Sequence, residues 1–114
     1  MSERTIRQMV KGIEAEIRDT ELQPTRAAEL QNHLSGLLGS VNAELTDSDL
    51  AYKRVLLDAL NRHEKANRAR IEAETSPEYR RFREAKDVKD TATELIRSLR
   101  AFLRNSAEEM RLTR

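Results

Sequence analysis

An all-α protein, an antiparallel helical hairpin or coiled coil with a short N-terminal helix packed on a long central helix, is what three features of this sequence predict. The first is composition. The chain has 114 residues, of which 36% are charged and 4% aromatic, with three Gly and two Pro. Such a mixture, poor in turn formers, suits long helices sharing a narrow apolar seam. The second is spacing. Phe82, Ala85, Ala92, Ile96, Leu99, Leu103, Ser106 and Met110 alternate in steps of three and four with Lys89 in one gap, a heptad pattern kept for about four heptads. The third is a helix start at Thr75-Ser76-Pro77-Glu78. There Ser76 caps free N–H groups, Pro77 suits the first helical position, and Glu78 faces the positive end of the helix dipole. No segment alternates apolar and polar residues as a half-buried strand would.

Taken in order, Ile6, Val10, Ile13 and Ile17 define a short amphipathic helix over residues 2–20, with Ser2 as its cap. Gly12 weakens it by roughly 1 kcal/mol against Ala. Pro24 ends this helix by pushing Gln23 out of helical geometry, and Thr25 caps the next one. Leu30, Leu34, Leu37, Leu38, Val41 and Leu45 then open a long helix over residues 25–74. Gly36 and Gly39 within it predict close approach of a neighbouring helix, or else a bend. A break near residue 46 is the alternative, since Thr46 can cap a new helix with acidic residues in its first turn and a Leu45–Leu50 staple. Beyond it Tyr52, Val55, Leu56, Ala59, Leu60, His63, Ala66 and Ile71 continue the apolar side, thinning to Ala69 and Ala73. The final helix covers residues 77–112. The long helix measures about 75 Å and the last about 54 Å at 1.5 Å per residue. A short turn between them makes them antiparallel, so the last helix reaches back to about Val41, where the first helix begins to cover the spine. The core or oligomer seam is read as Leu34, Val41, Leu45, Tyr52, Leu56, Phe82, Ile96, Leu99, Leu103 and Met110.

The same text narrows function. There is no cysteine, so no disulfide or thiolate metal site exists. The start Met-Ser-Glu-Arg-Thr-Ile lacks a secretory leader, and the longest run of large apolar residues is Val55-Leu56-Leu57. A cytoplasmic protein is the expectation. A slim 114-residue helical chain exposes much surface per residue, so a homo-oligomer is expected. Residues 1–50 carry a net charge of −4 and residues 51–114 a net of +5, a polarity that favours self-pairing or a partner for the basic half.

Seven cations, Arg62, Lys65, Arg68 and Arg70 before the Thr75 turn and Arg80, Arg81 and Arg83 after it, would gather at the tip of a simple hairpin. Paired guanidinium donors there can grip a nucleic-acid backbone without reading its sequence. Glu64, Glu72, Glu74 and Glu78 share the region, and a salt-bridged solvated face is the plainer account. Arg97, Arg100, Arg104 and Arg111 flank the seam, where Arg stems cover apolar carbons. His33 and His63 are the only histidines and form no metal-binding pattern. No phosphate loop, nucleophile motif or cofactor signature occurs, so no enzyme and no cofactor are expected.

Residues 69–79, Ala-Arg-Ile-Glu-Ala-Glu-Thr-Ser-Pro-Glu-Tyr, and 94–104, Glu-Leu-Ile-Arg-Ser-Leu-Arg-Ala-Phe-Leu-Arg, resemble small bacteriophage-encoded coiled-coil proteins found among recombination and replication genes. The resemblance covers about residues 45–114 and carries no motif of functional residues. It implies an accessory protein acting through protein–protein contact, or beside nucleic acid in phage recombination.

Overall fold

The computed structural model describes residues 4–113. Four helices follow one another: α1 (Ile6–Asp19), α2 (Pro24–Arg62), α3 (Ala66–Glu74) and α4 (Pro77–Leu112), with no strand among the described residues. The fold is all-α, an antiparallel helical hairpin with a short N-terminal helix packed on the long central one. Contacts cluster into two compact units, unit 1 from Met1–Gly39 with Asp90–Arg114 and unit 2 from Ser40–Lys89. Helices α2 and α4 each contribute to both.

In unit 1, α1 starts at Ile6, later than the expected start at residue 2. Thr5 is the cap, its Oγ1 accepting the Gln8 N–H at 3.2 Å while the Thr5 N–H donates to Gln8 Oε1 at 2.9 Å. This reciprocal box satisfies two donors that an uncapped helix would leave to solvent. Ser2, the expected cap, lies outside the described residues. The helix ends where Thr20 turns extended and both its N–H and its hydroxyl donate to the Glu16 carbonyl. Pro24, not a residue after Thr25, is the first position of α2, and the Gln23 carbonyl accepts the Ala27 N–H at 2.9 Å. Arg26 then forks onto Glu16 at 2.6 and 2.9 Å and reaches Glu29 at 2.9 Å, joining the end of α1 to the start of α2.

Val10 and Ile13 of α1, Ala27, Leu30 and Leu34 of α2, and Ala92, Ile96 and Leu99 of α4 are buried and form the unit 1 core. The expectation that α4 stops where α1 begins is therefore corrected, because α4 from Asp90 onward shares a unit with α1. Gly36 and Gly39 also differ from expectation. A Cβ at either position would meet nothing within 4 Å, so no helix approaches there, and α2 continues through both.

In unit 2 the expected single helix from 25 to 74 divides at residues 63–65, and the alternative break near 46 is absent. Thr46, Asp47 and Asp49 are simply helical, and Ser48 is fully buried with its hydroxyl donating to the Leu45 carbonyl at 3.1 Å. The break at 63–65 carries no Gly or Pro, and Lys65 enters α3 in extended geometry without a side-chain cap. Burial explains it. Turning back lets the small faces of Ala69 and Ala73 become solvent-free, as Ala59 is on α2, whereas a straight helix would leave them with no partner. The Arg62 fork onto Glu72, at 2.8 and 3.0 Å, adds a smaller electrostatic contribution at an exposed site. The start of α4 follows the sequence reading. Ser76 Oγ accepts the Tyr79 N–H at 3.2 Å and donates to the Ala73 carbonyl, with Pro77 as the first helical residue.

Candidate functional site

The seven cations do not gather at one tip. Arg62 closes α2 and is held by Asp58 and Glu72, and His63 Nε2 lies 3.3 Å from the same Glu72. Arg81, in contrast, forks onto Glu44, with Nε to Oε2 at 3.0 Å and Nη2 on Oε1. Glu44 precedes Arg62 on α2 by 18 residues, or roughly 27 Å of helix. The return of α3 is the reason: it carries the chain back, so α4 starts alongside residues 44–52 and not at the end of α2. Lys65 and Arg68 are exposed, and Arg70 donates to Asn67 Oδ1 at 2.9 Å.

Arg80 and Arg83 make no ion pair among the described residues. Together with Glu74, Thr75, Ser76 and Tyr79 they line an open hollow of about 430 Å³ at the α3–α4 turn. Electrostatics around the forks follow from the donors. Hydrogen bonds from Arg81, Arg26 and Arg62 hold the Glu44, Glu16 and Glu72 carboxyls below the ordinary carboxylate range. Burial, reinforced by the Glu74 charge, pushes the Tyr52 phenol up. All four groups are half-buried.

Tyr52 is the centre of an aromatic cluster. Its ring lies 4.9 Å from Tyr79 and is stacked at 5.9 Å on Phe82, while Tyr79 and Phe82 are 6.4 Å apart. Such offsets suit ring quadrupoles and join α2 to α4 within unit 2. The rings are half-buried and pack against one another in unit 2. Of the remaining seam positions, Leu34, Val41, Ile96 and Leu99 are buried, and Leu45, Leu56 and Leu103 are half-buried. Met110 departs from the expectation. It is 63% exposed, because the seam runs out of facing residues near the end of α4.

Leu60, Ala66 and Ile71, expected on the inner side, also face outward, and Leu50 and Leu57 join them. Leu50 is 50% exposed, Leu57 61%, Leu60 41% and Ile71 63%. Reading α2 as having a single apolar face missed these residues. The signal was present, since Leu50 and Leu57 stand one heptad apart on a stripe distinct from Leu45, Tyr52 and Ala59.

His33 is exposed, and its upstream neighbour Glu29 is engaged by Arg26. No group of three or more His, Asp or Glu side chains comes together to hold a metal ion among the described residues. No helix of the described residues is long and apolar enough to cross a membrane. No family model, no curated protein and no solved structure matches this chain.

Proposed function

We propose that the chain is a non-enzymatic, self-associating helical protein that works by presenting helix faces to other proteins. The observation that carries this reading is the outward placement of Leu50, Leu57 and Leu60 on α2 and of Ile71 on α3, all within unit 2. Single exposed leucines are ordinary, but leucines one heptad apart on one side of a helix form a surface that a second helix can cover. The resemblance of residues 45–114 to phage coiled-coil proteins supports a place as a phage accessory protein in the host cytoplasm. Light scattering on the full chain tests the reading: a mass of two or more chains at tens of micromolar is expected, and a monomer at every concentration overturns it.

A second reading, nucleic-acid binding, is favoured by Arg80 and Arg83 beside the hollow at the start of α4, where neither is neutralised by an ion pair. Phosphate binding releases counterions, so a mobility shift with DNA or RNA that fades steeply as salt rises supports it. Arg80→Glu with Arg83→Glu should then abolish the shift. Absence of a shift at low salt removes this reading.

A further inference from the structure

Six consecutive heptad core positions on the outer face of α2 are all exposed: Ala43, Thr46, Leu50, Lys53, Leu57 and Leu60, in steps of three, four, three, four and three. This is a second seam, separate from the one that builds the core of unit 2, and it spans about 26 Å. We infer that it pairs α2 with the α2 of a second copy of this chain, antiparallel and about a two-fold axis, with Leu50 of each copy facing Lys53 of the other. The inference rests on the self-association reading and adds the surface, the partner and the register.

Charge selects that arrangement. A parallel pair would stack the two Lys53 side chains in one layer and bury like charges against each other. In the antiparallel pair each Lys53 faces a leucine, and its ammonium remains bound to Asp49 of its own helix at 2.9 Å. The apolar stem of Lys53 then covers the facing Leu50. The other layers set Ala43 against Leu60 and Thr46 against Leu57, so a small residue faces a large one.

The flanking positions fix the register. Asp47 and Arg54 follow Ala43 and Leu50 on the same side of the seam, and both are exposed. With Leu50 facing Lys53, Asp47 of each copy stands beside Arg54 of the other, giving two ion pairs related by the two-fold. Sliding one helix by a heptad in one direction brings the two Arg54 side chains together, and in the other direction the two Asp47 side chains. Both alternatives set like charges side by side.

A contact of this length lies at the small end of stable interfaces, so a dissociation constant on the order of 10 μM is expected. Sedimentation of the full chain from well below to well above that concentration is the test, with circular dichroism recorded on the same samples. The wild-type chain is expected to pass from monomer to dimer, and Leu57→Asp to stay monomeric with unchanged helicity. A dimer that persists in Leu57→Asp overturns this surface and leaves self-association standing. A wild-type monomer throughout overturns both.

Register is read with thiols, which is simple in a chain without cysteine. Ala43→Cys combined with Leu60→Cys places two thiols in facing layers and is expected to oxidise to a covalent dimer. Ala43→Cys alone, with the two thiols about 26 Å apart, is expected to resist. Cross-linking of the single variant as fast as the double one overturns the antiparallel register.

Discussion

Unit 1 and unit 2 are built from the same kinds of residue and distribute them differently. Unit 1 closes on large aliphatics: Val10, Ile13, Leu30, Leu34, Ile96 and Leu99 are all buried. In unit 2 the buried set is mostly small, Ala59, Ala69, Ala73, Ala85 and Ser48 alongside Val41, while Leu50, Leu57, Leu60 and Ile71 stand outside. Half-buried rings of Tyr52, Tyr79 and Phe82 fill the space that leucines fill in unit 1. Small buried faces let α3 lie against the unit, and its larger apolar side chains stay in contact with water. Unit 1 buries its large aliphatic side chains in its own core; unit 2 leaves several of them exposed.

The sharpest way to break this comparison is to alter leucines in both units. Leu99→Asp should unfold the chain, because it places an unpaired charge at a site that is 1% exposed. Leu34→Ala should cost about 3 kcal/mol in chemical denaturation, the cost of a cavity in a closed core. Leu57→Ala should change the stability of the monomer by less than ~0.5 kcal/mol, since its site is already open to water. If Leu57→Ala destabilised the monomer as strongly as Leu34→Ala, the contrast between the units would be lost.

Smaller effects refine it. Gly39→Ala should stabilise by ~1 kcal/mol, because a helical glycine with empty space at its Cβ position gains propensity and loses nothing. A loss of stability there would mean that a helix from some partner approaches the position. Thr5→Ala should cost ~1 kcal/mol through the lost cap, and Thr5→Ser should restore most of it.

The smallest expected effect is acid sensitivity. Glu16, Glu44 and Glu72 have carboxyls held lower in the fold than in the unfolded chain. Their contribution is therefore complete above the ordinary carboxylate pKa of about 4.3 and is lost as pH falls through the lower folded values. Thermal melts should be flat from neutral pH to about pH 5 and decline below about pH 4. Salt should blunt the decline, because the forks are exposed. A fall in melting temperature on raising the pH from 5 to 8 would contradict this assignment.

Much of the fold was legible because local chemistry agrees with tertiary packing at several points. Ser76 and Pro77 start α4 where their chemistry says a helix should start, and the 3-and-4 spacing of Ala85, Ala92, Ile96 and Leu99 marks the buried line of α4. The capping box at Thr5 and Gln8 is equally local, although the sequence reading sets the cap at Ser2. The candidate sites were less legible. The cationic tip failed because its assembly depends on where α3 goes. The outer leucine stripe was hidden because α2 carries two apolar stripes, and spacing alone does not say which one faces inward.

By itself the sequence determined the helical class, the Ser76-Pro77 start of α4 and the buried line of α4. All of these follow from interactions within a few turns of one helix: caps, dihedral preference and 3.6-residue periodicity. Only the tertiary structure decided that the chain reverses at His63-Glu64-Lys65, where no residue prevents a helix from continuing. That choice depends on whether Ala69 and Ala73 find a surface to cover them, and this is a property of distant residues and not of the segment. From the same reversal follow the Arg81–Glu44 fork, the overlap of α4 with α1 in unit 1, and the separation of the basic residues. Helix formation is local, but the position of a turn without a breaking residue is set by what the two sides bury.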